Sequence, residues 1–152
     1  MRLKVIEPII GPWDWDQALE ILKPFVNPDV QLELEPIEFG PSSIESDFDV
    51  AYAAPFILQK VEKAKEEKFD GIFIDCFGDP AVKAAREIAD IPVVGAFQPA
   101  MAFASLLGQR IGIITVLFSL IPHLYRLASE HGFERYIASI RPIGIPVLEL
   151  EN

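Results

Sequence analysis

Strand-like and helix-like segments alternate from one end of the 152-residue chain to the other, and this alternation limits the fold more than any other feature of the sequence. Apolar or alternating runs at 3–6, 30–34, 71–75, 93–95, 110–116 and 137–142 read as strands, and amphipathic stretches at 16–22, 48–68, 81–89, 99–107 and 121–131 read as helices. Such an order predicts an α/β fold with a parallel sheet, joined by right-handed crossovers. Punctuation agrees with it: Pro24 stops the first helix, Pro55 interrupts the ladder of the second, and Pro122 opens the last. Val30, Leu32 and Leu34 alternate with Gln31, Glu33 and Glu35, as in a strand near a sheet edge. The unbroken apolar run of FDGIFID suits a central strand instead.

Four strands finish by Gly95, so residues 1–97 are expected to form a first α/β lobe and 98–152 the beginning of a second, similar one. Two strands make an unstable lobe by themselves. The expectation is therefore a chain that continues beyond Asn152, or a partner over the open edge, with self-association into a homo-oligomer. The tail GIPVLELEN is apolar and acidic by turns and is expected to close nothing.

Composition narrows the function. About half of the residues are hydrophobic (51%) and 24% are charged, which places the chain among globular proteins. The net charge of −10 is spread along the sequence with no basic cluster, which argues against nucleic acid. No apolar run approaches the roughly 20 residues of a membrane helix. A single cysteine and two distant histidines support neither a disulfide framework nor a metal site. The expectation is a cytoplasmic protein that handles a small molecule.

That cysteine lies in FDGIFIDCFGDPAVKAAREI. Cys76 follows Asp75 at the carboxyl end of the third expected strand, where ligands bind in parallel α/β sheets. Asp79 is a suitable N-cap and Pro80 a suitable first-turn residue for the helix at 81–89, so Cys76, Phe77 and Gly78 are expected in a tight strand-to-helix loop with backbone N–H groups facing an open cup. The helix terminus lowers the pKa of a nearby thiol, whereas Asp75 and Asp79 raise it. Sequence alone leaves the net sign open, and a small buried packing cysteine is the plainer alternative.

DCFGDP, with GPSSIES about thirty residues earlier, IPVVG after the helix and RIGIITVL opening the next unit, resembles the aspartate/glutamate racemase superfamily, most closely its hydantoin racemase branch. The resemblance implies two similar α/β lobes around one site, no cofactor, and two cysteines on opposite faces of a stereocentre, one removing an α-proton and the other returning one. Cys76 matches the first-lobe cysteine. Ser43, Phe77, Gly78, Asp79 and Thr115 are the expected substrate contacts, and no metal is expected. A hydantoin, allantoin or an amino acid would all suit such a site. The chain departs from the pattern in two places. Glu7, Pro8, Ile9, Ile10 and Gly11 stand where relatives carry an Asn-Pro-Asn-Thr type loop, and the second cysteine would fall beyond Asn152. One thiol exchanges a proton from one face, without inversion unless the planar intermediate turns over. A non-catalytic or truncated member that binds small acids or a partner subunit is the alternative.

Other residues carry plainer expectations. Ser42 and Glu45 have capping-box spacing. Trp13 and Trp15 suit an aromatic plug over the core, and His123 and His131 suit a helix surface.

Overall fold

The computed structural model of the chain describes residues 1–150, so the last two residues of the tail lie outside the described residues. Strands β1 (Arg2–Glu7), β2 (Gln31–Pro36), β3 (Gly71–Ile74) and β4 (Val93–Gly95) form one parallel sheet in the order β2-β1-β3-β4. The alternating strand β2 is at the edge and the apolar β3 is inside, as the side-chain patterns require. Helices α1 (Trp15–Leu22), α2 (Asp47–Glu66) and α3 (Val82–Ile88) connect them. Ala53, Ile57, Val61 and Ala64 of α2 recur at helical spacing and are buried with Ile6, Phe69, Ile72 and Ile74. Each large aliphatic side chain hidden there stabilises the lobe by about 1.5–3 kcal/mol.

The second lobe holds α4 (Phe97–Leu107), β5 (Ile111–Thr115), α5 (Ile121–Glu130) and β6 (Ile137–Pro142), with β5 and β6 parallel. Phe97, Met101, Ile113, Leu124, Ala128 and Ile140 form its separate core. The α/β class, the four-stranded sheet and the smaller second sheet agree with the sequence expectation. No helix among the described residues is long and apolar enough to cross a membrane.

Two local expectations are corrected. The capping box of α2 is formed by Ser46 and Asp49, not by Ser42 and Glu45. Ser46 Oγ accepts from Asp49 N–H at 3.2 Å, and Asp49 Oδ2 accepts from Glu45 N–H at 3.0 Å. Glu45 is occupied elsewhere: its Oε1 accepts from Val147 N–H at 2.7 Å. The tail therefore does close something. After β6, Ile143 and Gly144 donate to the carbonyls of Thr115 and Val116 at 2.9 Å each, and Val147 then returns to the first lobe.

Candidate active site

Glu7 ends β1, Asp75 and Cys76 follow β3, and Thr115 ends β5. The parallel register sets Ile6 beside Ile74, so Glu7 and Asp75 leave the sheet as neighbours. Between the lobes lies a cavity of about 230 Å³, lined by Cys76, Phe77 and Gly78 from one side and by Thr115, Val116 and Leu124 from the other. Its size suits a small ring rather than the ligands of pockets that span about 300–1,000 Å³. A larger cavity of about 680 Å³ lies at the other end of the sheet among Arg2, Val30, Glu33 and Phe69, remote from the thiol. Cys76, Phe77, Gly78 and Thr115 are thus brought together on one cleft. Ser43 is half-buried in its loop and does not line it.

The cysteine loop is tightly constrained. Asp79 N–H donates to the Cys76 carbonyl at 3.0 Å, closing a turn, and Gly78 N–H points at Cys76 Sγ at 3.4 Å. Asp79 and Ala81 both take left-handed backbone, with φ of 45° and 59°. Such conformations cost non-glycine residues free energy and persist only where surrounding contacts impose them. Phe77 is partly exposed and packs edge-on against Phe97, with ring centroids 5.2 Å apart.

Asp79 corrects the sequence reading twice. It does not cap α3, which begins only after the left-handed Ala81, and it does not line the thiol cavity. Its buried carboxylate instead reaches the N-terminus of α4, where Oδ1 accepts from Phe97 N–H at 2.9 Å. Orphan N–H groups at the start of α4 offer more to a buried carboxylate than the strained head of α3 does. Burial still raises the Asp79 pKa, with those N–H groups opposing it, and Oδ2 has no hydrogen-bond partner among the described residues. Gly95 makes room for this carboxylate, since a Cβ there would stand 2.3 Å from Asp79 Oδ1 and 2.7 Å from Val82 Cγ2. Gly95→Ala is expected to lower stability by about 1–3 kcal/mol through overpacking, read as a shift of the urea midpoint at constant slope.

Electrostatics settle the sign that the sequence left open. Burial pushes the Cys76 thiol up to about 12, with Asp79, Asp75 and Glu7 adding to it, and the Gly78 N–H only partly offsets them. Glu7 is itself pushed up to about 8, first by burial and then by Asp75 beside it. The resting site therefore holds a protonated thiol near a Glu7 carboxyl that retains its proton at neutral pH.

His123 was expected at the surface and is buried, at 9% exposure. Its Nε2 lies 2.7 Å from the Gly78 carbonyl and its Nδ1 lies 3.0 Å from Asp47 Oδ1. The signal was present in the sequence, because position 123 shares a helix face with Leu120 and Leu127. His131 is half-buried, its ring 6.3 Å from that of Phe97.

Two parallel α/β lobes, with a thiol at a strand exit in the cleft between them, define a two-lobed α/β protein with a cysteine at its interlobe site. The comparisons give the family: the chain matches Asp/Glu/Hydantoin racemase over residues 16–152 and belongs to that family. It is 32% identical to a hydantoin racemase of Pseudomonas sp. (strain NS671), over 100% of this chain and 61% of that one. Over 74% of this chain and 46% of the other it is 38% identical to a hydantoin racemase of Rhizobium meliloti. Among solved structures, allantoin racemase from Klebsiella pneumoniae superposes with a TM-score of 0.95 at 32% identity, covering 100% of this chain and 62% of that one. The chain thus covers from under half to about three fifths of the length of these relatives.

Proposed function

We propose that this chain carries the thiol half of a cofactor-independent racemase site, which acts on hydantoins or related amino-acid derivatives by α-proton transfer at Cys76. The observation that supports it is the placement of Cys76 Sγ on the interlobe cavity, under the Gly78 N–H and beside Glu7 and Asp75. A thiol kept neutral is a proton donor. It delivers its proton to a planar, enolate-like carbon and becomes a thiolate, which the Gly78 N–H stabilises. Exchange begins in the other direction: the small thiolate fraction removes the α-proton and becomes the neutral thiol, which trades its hydrogen with solvent before it returns one to that carbon. The backbone of Phe77 and Gly78, with Thr115 across the cleft, positions the ring.

Cys76 addresses one face of the substrate, and α-proton exchange is the reaction expected at it. Incubation of a 5-substituted hydantoin in heavy water tests this. The wild-type protein is expected to incorporate deuterium, and Cys76→Ala to fall to the rate without protein. Exchange that survives the substitution removes Cys76 from the chemistry. The alternative is a binding-only member, which the same assay supports if neither protein exchanges while the wild type still binds the hydantoin.

A further inference from the structure

We infer that His123 is a positioning residue for the thiol: from α5 of the second lobe it holds the peptide that aims the Gly78 N–H at Cys76. The peptide between Gly78 and Asp79 is tethered at both ends. Its N–H donates to the Cys76 carbonyl at 3.0 Å, and its carbonyl accepts from His123 Nε2 at 2.7 Å. A carbonyl can only accept, so Nε2 carries the hydrogen in this contact. With that peptide fixed, the turn has one geometry, and the preceding N–H lies 3.4 Å from Sγ. Glycine without such tethers samples many backbone states, so the turn does not define this geometry unaided.

The ring is oriented in turn from the first lobe. Asp47, the first residue of α2, places Oδ1 3.0 Å from Nδ1, a contact that is a hydrogen bond when both ring nitrogens carry hydrogen. Arg126 donates to the same oxygen and lies 3.5 Å from Nδ1, to which it donates when Nδ1 is bare. Burial works against the Asp47 carboxylate, yet Arg126 and His123 together hold its pKa below the ordinary range. The sequence Asp47, His123, Gly78, Cys76 thus crosses between the lobes twice, so thiol geometry depends on how the lobes sit together. Its bearing on catalysis rests on the reading of Cys76 as the acid/base group. Its bearing on the thiol does not.

Reaction of the sole cysteine with 4,4′-dithiodipyridine at pH 9, in the full chain, tests the inference without any substrate. A hydrogen bond to a charged group contributes about 1.5–3 kcal/mol, and this long bond to sulfur sits below that range, so its loss is expected to slow the reaction about fivefold. His123→Leu, which fills the space without donating, is expected to show that slowing. His123→Gln, which can still donate to Gly78, is expected to react within about twofold of wild type. Thermal melts confirm that both variants are folded; if the leucine variant does not fold, Asp47→Asn, at an exposed position, is expected to show a smaller slowing of the same sign. Faster reaction in His123→Leu overturns the inference, because a ring that merely packs the loop would expose the thiol when removed. Equal slowing in the leucine and glutamine variants overturns it as well. Failure of hydantoin exchange in the wild type leaves this result intact and counts only against the proposed reaction.

Discussion

Cys76 is expected to react with 4,4′-dithiodipyridine about a hundredfold more slowly at pH 8 than a cysteine in an unstructured peptide. An ordinary thiol with a pKa of about 8.5 is roughly a quarter ionised at that pH. With its pKa at about 12, Cys76 is ionised in only about one molecule in ten thousand. Thiolates of higher pKa are intrinsically more nucleophilic, with a Brønsted coefficient of about 0.4–0.5, which recovers about one and a half powers of ten. About two remain, before any hindrance from the cleft walls. Rising pH is expected to increase the rate by less than tenfold per unit near pH 8. Glu7 loses its proton there, and a second negative charge beside Asp75 makes the thiolate harder to form. Glu7→Gln removes that charge and is expected to restore the steeper slope. A wild-type rate equal to that of the free peptide at pH 8 would show a thiol that its burial does not suppress, and the raised pKa argued for Cys76 would then be wrong.

The second large effect concerns stability and lies at the edge of the first sheet. Lys4 is fully buried in β1, with Nζ 2.6 Å from Glu33 Oε1 and 2.5 Å from Glu35 Oε2. Glu35 also pairs with Lys60 at 2.5 Å and with Lys63 at 3.1 Å. Lys4→Ala is expected to destabilise the protein by about 3 kcal/mol. It empties the volume of the lysine stem and removes one cation from a partly buried carboxylate, and breaking a buried pair typically costs about 3–5 kcal/mol. The lower end applies because Lys60 and Lys63 remain and Glu33 is half-exposed. Lys4→Met keeps most of the packing and is expected to recover part of the loss. Urea midpoints at unchanged slope are the measurement. If both variants unfold at the wild-type midpoint, the network contributes nothing.

Acid provides a check on the same network. Burial alone would raise the Glu35 carboxyl, but Lys4, Lys60 and Lys63 together hold it down from 4.5 to about 2. A carboxyl with a depressed folded pKa contributes stability that is present above its unfolded value and disappears as the pH falls through its folded value. Stability is therefore lost between about pH 4.5 and 2 in the wild type, and the acid limb is expected to be shallower in Lys4→Ala.

Much of this fold was readable from local pattern. Alternation in β2 and the continuous apolar run in β3 state which strand is at the edge and which inside, and the proline positions mark where helices begin and end. The site was readable to the extent that it follows from connectivity: a residue directly after a central parallel strand must emerge at the ligand end, and Cys76 does. Phe77, Gly78 and Thr115 reached the same cavity for that reason. Ser42 and Glu45 misled because their spacing fits a cap that Ser46 and Asp49 make four residues later.

What the amino-acid order determined, then, was the type and order of the strands and helices, which periodicity and proline positions set over a few neighbouring residues. Tertiary structure decided the partners of the polar groups and the charge state of the thiol. Asp79 meets Phe97 across 18 positions, Lys4 meets Glu33 across 29, and His123 meets Gly78 across 45 and Asp47 across 76. Desolvation and Coulomb interaction depend on distance in space and on who else is excluded from water. Those quantities come into being only when the lobes close around the cysteine loop.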